Sequence, residues 1–157
     1  LFYAVPILTL AAVIAIFFLA GHSNGYAQFG AAQGILRILV ALPLLLSGII
    51  LHFFMITGTA TIIPPAFPDP RLLVILSGVC EIAGAIGLFL PKTRRTAGFL
   101  IAVMLIAILP ANIYAAGRTI NGVTMPSVPV RTAMQAIYIL LVLIASYGCP
   151  RVRPAKP

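Results

Sequence analysis

Four side chains able to donate, accept or exchange protons, His52, Glu81, Asn112 and Gln135, stand inside runs of sequence that are otherwise almost wholly apolar. A carboxyl and an imidazole are common partners in proton transfer, and two carboxamides add donors and acceptors of fixed geometry. Glu81 is the most informative of them, because insertion scales price a charge at the centre of a bilayer at about 2.5 to 3.5 kcal/mol. Its carboxyl is expected to face other helices and to be either protonated or paired. His52 is the best candidate partner: neutral, it hydrogen-bonds a protonated acid; charged, it forms an ion pair. Ser77 and Gly84 share the helical face of Glu81, as do Gly78 and Ala85. Small neighbours of this kind permit either close helix packing or a cavity beside the acid. Asn112 follows Pro110, whose missing donor is expected to free the carbonyl of Ile106 and kink the chain. Gln135 and Tyr138 lie one helical step apart and could complete the lining.

Two readings of this set stand side by side. The groups either form a hydrogen-bonded clasp between helices, or they line a pocket that binds or transforms something. Membrane hydrogen bonds average only about 0.6 kcal/mol in direct tests, so glue alone is a weak reason to bury a carboxyl. Other chemistries lack their residues. No pair of histidines has metal-ligand spacing, so no metal is expected, and no Gly-rich phosphate loop or Ser-His-Asp set is present. Cys80 and Cys149 belong to no paired-cysteine motif and read as buried small apolar residues rather than a disulfide.

The elements that must carry these groups follow from composition. Of 157 residues, 62% are hydrophobic and 8% charged, and Asp69 and Glu81 are the only acids. A water-soluble surface needs about 25% charge, so lipid is the simplest solvent for this chain. Ten basic residues against two acids do not indicate nucleic acid, because they sit singly or in short groups where apolar runs end. Five such runs are present: 2–20, 35–57, 72–90, 97–116 and 132–149. Each has about the twenty residues that a helix needs to cross roughly 30 Å of hydrocarbon. Backbone groups in lipid must bond internally, and the runs are too long for barrel strands. An all-α membrane protein is therefore expected, with a four-helix bundle at 35–149 and an additional N-terminal helix and connecting loop at 1–34. A short basic tail follows at 150–157.

The run at 2–20 lacks a basic n-region and reads as a retained helix rather than a signal peptide. The segment 91–95, Pro-Lys-Thr-Arg-Arg, predicts a tight turn between antiparallel neighbours, whereas 58–70 and 117–130 read as loops. Placing the 91–95 turn in the cytoplasm puts seven basic residues there, Arg37, Lys92, Arg94, Arg95, Arg151, Arg153 and Lys156. Three, Arg71, Arg118 and Arg131, then face outward, as the positive-inside bias expects. The N-terminus would lie outside. In this frame His52, Glu81, Asn112 and Gln135 fall at the midplane or in the outer half, at compatible depths.

The order of several stretches resembles the DoxX family of small bacterial membrane proteins. These are Leu42-Pro43-Leu44-Leu45-Leu46-Ser47-Gly48 leading to His52-Phe53-Phe54, then Ile62-Ile63-Pro64-Pro65, and the Glu81-containing stretch from Ser77 to Gly87. The basic turn from Pro91 to Gly98 and Pro110-Ala111-Asn112-Ile113-Tyr114 continue the series, so the likeness covers about residues 35–148. The resemblance implies a four-helix core in the bacterial inner membrane and emphasises His52, Glu81 and Asn112. It also implies possible association with quinone-linked membrane oxidoreductase subunits. The expectation is a protein binding lipid, quinone or a partner helix in an outer-half pocket lined by His52, Ser77, Glu81, Asn112, Gln135 and Tyr138. No cofactor is predicted, a quinone being possible as the apolar ligand. The alternatives are an enzyme using Glu81 and His52 for proton transfer on an apolar substrate, or an oxidoreductase accessory subunit.

Overall fold

The computed structural model describes residues 26–147, with side chains from Ala32 onward. The run at 2–20, His22, Cys149 and the basic tail lie outside the described residues. The described chain is mostly helical. Helix α1 (Tyr26–Ile49) continues into a π-helical turn (Ile50–Phe54), and α2 (Ile56–Ala60) follows. Then come α3 (Pro70–Phe89), α4 (Arg94–Ala107), α5 (Leu109–Tyr114), the strands β1 (Thr119–Ile120) and β2 (Val123–Thr124), and α6 (Val128–Tyr147). Three helical stretches, Ala32–Phe54, Pro70–Phe89 and Val128–Tyr147, are long and apolar enough to cross a membrane.

Four of the expected runs correspond to helix, with corrections. The first described helix begins at Tyr26 rather than Ile35, since Ala31, Ala32 and Gln33 continue a helical sequence beyond the apolar run. It ends earlier than expected, at Phe54, because Met55 leaves helical geometry (φ −113°, ψ 27°). The expected fourth run is broken at Ile108 into α4 and α5, with Pro110 in the first turn of α5, where its missing N–H is tolerated. The expected 117–130 loop contains an antiparallel hairpin pairing Thr119 with Thr124 and Ile120 with Val123. Its two-residue turn, Asn121-Gly122, has positive φ at both positions (51° and 77°), which Asn and Gly tolerate best.

Helix boundaries are secured by side chains. Asp69 caps α3, its carboxylate accepting from the Leu72 N–H at 3.2 Å, with Pro70 opening the helix. At the other end, the Thr93 hydroxyl donates to the Gly87 carbonyl (3.0 Å) and Arg94 Nε to that of Leu88 (3.1 Å). The basic turn thus also satisfies carbonyls left open where α3 stops.

The long helices close a ring: α1 packs on α3 and α6, and α4 packs on the same two. Its apolar core includes Val40, Leu44, Leu88, Ile101 and Val142. Buried with these are polar side chains, Gln33, His52, Thr59, Glu81, Gln135 and Ser146. Meanwhile Ile38, Leu42, Leu76, Val79, Leu100, Ile106 and Leu140 lie exposed. Polar inside and apolar outside inverts the arrangement of a water-soluble bundle. Cys80 belongs to this outer surface and is exposed, not buried as expected. The buried stripe of α3 runs through Val74, Gly78, Glu81, Ala85 and Leu88, which leaves Cys80 facing away.

Glycines set how closely the helices approach. A methyl group at Gly48 would stand 2.9 Å from Ile82 Cγ1 and 3.1 Å from the Gly78 carbonyl. One at Gly78 would collide with the His52 side chain. Gly78→Ala should therefore lower stability by about 1 to 3 kcal/mol through overpacking. Gly34→Ala, which meets open space, should leave it unchanged or slightly raised. Thermal unfolding of both variants in one detergent checks the pair, and equal midpoints would show that the crossing is not tight.

Candidate functional site

The Gly48–Gly78 crossing brings α1 and the π-helical turn against the middle of α3, where Glu81 lies. Ser47 Oγ approaches Glu81 Oε2 at 2.5 Å and the Leu44 carbonyl at 3.1 Å. His52 stands in the π-helical turn, and its Nδ1 lies 3.0 Å from the Ser47 carbonyl and 3.8 Å from Glu81 Oε2. A carbonyl oxygen can only accept, so Nδ1 carries a hydrogen and donates to it. Glu81 and His52 are both deeply buried, at 6% and 8% relative exposure. His52 and Glu81 thus approach within 3.8 Å without a direct hydrogen bond, each bonded instead to Ser47. Turns of π-helix inside α-helices concentrate at functional sites. The junction after this one is held by Thr59, whose buried hydroxyl lies 2.8 Å from the Leu51 carbonyl and 3.0 Å from that of Met55.

A second polar set ties α6 to α4 and α5. Asn112 Nδ2 donates to Gln135 Oε1 at 2.9 Å, and Gln135 Nε2 donates to the Leu105 carbonyl. Arg131 donates from Nε to the Asn112 carbonyl (2.8 Å) and from its terminal nitrogen to Asn112 Oδ1 (2.5 Å). Tyr138, further along α6, donates its hydroxyl to the Val40 carbonyl on α1 at 2.5 Å. Each recipient carbonyl has a proline close by in sequence, Pro43 in α1 for Val40 and Pro110 at the start of α5 for Leu105. Helices in lipid tolerate proline when neighbouring helices satisfy the disturbed backbone, and α6 supplies a donor to each. The carbonyl that Gln135 reaches is that of Leu105, one residue before the Ile106 carbonyl that Pro110 was expected to free. The break at Ile108 separates Leu105 from α5, and Ile106 points its side chain outward.

The candidate residues thus fall into distinct surroundings. His52 and Glu81 come together. Asn112 and Gln135 come together, engaged with each other, with Arg131 and with backbone. Tyr138 is bonded to α1. Ser77 is half-buried and donates its hydroxyl back to the Val74 carbonyl at 2.9 Å. Tyr114 is exposed and carries the Arg118 guanidinium 4.3 Å above its ring. Sequence reasoning missed Ser47, Thr59 and Arg131 as members of these networks. The spacing of Ser47 and His52, five apart, matches a π-turn rather than an α-turn, so an α-helical reading separates them. Arg131 reads in sequence as a membrane flank, although the α5–α6 contact folds it onto Asn112.

One distinction separates the two sets. Among the described residues every wholly buried side-chain nitrogen and oxygen has a hydrogen-bond partner. Glu81 Oε1 and His52 Nε2 have no hydrogen bond among those residues, so both atoms keep accessible surface. In the Asn112–Gln135 set the carboxamide groups are instead engaged in bonds that hold helices.

A family model described as a domain of unknown function, DUF8561, matches residues 27–146. No curated protein and no solved structure matches the chain. The clasp reading of the second set has its own test. A double-mutant cycle of Asn112→Ala and Gln135→Ala should give a coupling of about 0.6 to 1.7 kcal/mol in unfolding free energy. Additive effects would mean that the two carboxamides do not support one another.

Proposed function

The chain belongs to the family defined by the domain of unknown function DUF8561, and we propose that it is an inner-membrane protein of bacteria that binds an apolar molecule at His52 and Glu81. The observation that supports this is the incomplete satisfaction of the pair: two deeply buried residues each keep one heteroatom without a hydrogen-bond partner among the described residues. A purely structural clasp favours full satisfaction, as Asn112 and Gln135 have, because unpaired polar atoms in a low dielectric are costly. The ligand is a lipid or a member of the quinone pool, taken laterally from the bilayer. Asn112, Gln135 and Tyr138 position the helices around the site, and Ser77 lies on the same helix as the acid.

In this reading α4 and α5 together form a fourth membrane crossing, giving the DoxX-like four-helix core, and residues 2–20 add a fifth. The 91–95 turn and the C-terminus face the cytoplasm. A second reading, proton transfer on an apolar substrate, draws on the 3.8 Å separation of His52 Nδ1 and Glu81 Oε2. Association with an oxidoreductase subunit is the third, drawn from the DoxX likeness alone.

Extraction into native lipid particles, followed by mass spectrometry of bound small molecules and proteins, tests the binding reading. A specific molecule should accompany the wild-type chain and fall about tenfold with Glu81→Gln, the effect of losing roughly one strong hydrogen bond. An unchanged profile at unchanged protein level would remove Glu81 from the site. Orientation is checked separately with Lys92→Cys in a cysteine-free background. An impermeant maleimide should label it in inverted vesicles and not in intact cells, and the reverse pattern would turn the bundle over.

A further inference from the structure

The hydrogen-bond bookkeeping around Glu81 narrows the kind of ligand, resting on the binding reading above. His52 Nδ1 faces the Ser47 carbonyl at 3.0 Å and must hold a hydrogen. In a neutral imidazole the other nitrogen, Nε2, then carries a lone pair and no hydrogen. A hydrogen on Nε2 as well would place a donor with no acceptor among the described residues in a deeply buried group. The tautomer is thus assigned by the carbonyl that Nδ1 meets.

The same reasoning applies to the acid. Ser47 has one hydroxyl hydrogen but two oxygens in reach, Glu81 Oε2 at 2.5 Å and the Leu44 carbonyl at 3.1 Å. If the carboxyl is protonated on Oε2, it donates to Ser47, and Ser47 donates to Leu44. If it is ionised, Ser47 donates to Oε2. Oε1 is an acceptor in both cases. A hydrogen placed on Oε1 would forgo the bond to Ser47 that a hydrogen on Oε2 makes, and with it the relay from Ser47 to Leu44. Two uncommitted acceptors therefore stand on neighbouring side chains, and no uncommitted donor accompanies them on this pair.

We infer that the site selects an apolar molecule through a hydroxyl hydrogen, such as an alkylphenol, a hydroquinone or a hydroxylated lipid. It disfavours molecules that offer acceptors alone, such as ethers, ketones and oxidised quinones. An acceptor presented to two acceptors leaves all of them unpaired in a low-dielectric interior, which is the arrangement that produces strong discrimination.

A matched pair of probes tests this with the full chain in lipid nanodiscs. A 4-alkylphenol and the corresponding 4-alkylanisole share shape and apolar area, but the methyl ether lacks the donor. With 15N-histidine labelling, and His22→Gln to assign the second histidine, the His52 nitrogens are read directly. The unliganded protein should show Nδ1 protonated and Nε2 bare. The phenol should then shift Nε2 saturably, and the anisole should bind about tenfold more weakly, the loss of one hydrogen bond. A hydrogen found on Nε2 overturns the inference. Equal, saturable binding of phenol and anisole, weakened for both by Glu81→Gln, also overturns it while leaving the ligand site standing. Saturable binding of neither probe, with no small molecule accompanying the protein from native lipid, would remove the ligand site and this inference together.

Discussion

Where α1 crosses α3, the contact is made by backbone. Gly48 faces the carbonyl of Gly78 and the first carbons of Glu81, and Gly78 in turn faces His52. Without side chains at these positions the two helices come close enough for Ser47 to reach a carboxyl on the opposite helix at 2.5 Å. A methyl group on Gly78 would collide with His52, and one on Gly48 would crowd the Gly78 carbonyl, so either would strain the close approach on which that hydrogen bond depends. The pairing of an acid with an imidazole in an otherwise apolar bundle thus rests on a steric condition.

The remainder of the polar interior serves the backbone. α6 donates through Tyr138 and Gln135 to carbonyls of α1 and α4, each beside a proline-disturbed stretch. Arg131 fastens Asn112 through both its carbonyl and its side chain, which fixes the short helix α5 against α6. Arg37 extends the same principle to the far end of the bundle, its Nε donating to the Ala145 carbonyl at 3.1 Å and a terminal nitrogen to Gln33 at 2.9 Å. In a bundle whose outer surface is apolar, polar side chains turned inward find their partners on the neighbouring helix. The His52–Glu81 pair differs in keeping acceptors in reserve, and that difference supports reading it as a site.

Much of this was legible in the sequence. Length, the near absence of charge and the punctuation by proline, glycine and arginine marked most ends of the described helices to within a few residues, the start of α1 and the break at Ile108 excepted, because hydrophobic periodicity and helix breakers act locally. The same local rules marked His52, Glu81, Asn112 and Gln135 as exceptional, and the Asn121-Gly122 pair contained a hairpin signal that an all-helical expectation passed over.

What the tertiary structure decided was which polar groups meet and which atoms they leave uncommitted. Four groups expected at matching depth form two sets rather than one, because rotation about each helix axis depends on packing against neighbours. The π-helical turn that aligns His52 with Ser47, and the Arg131 contact that secures Asn112, arise from such packing and have no local signature. Glu81 was conspicuous in the sequence as a buried acid. Only the fold assigned Ser47 to one of its oxygens and left the other to accept.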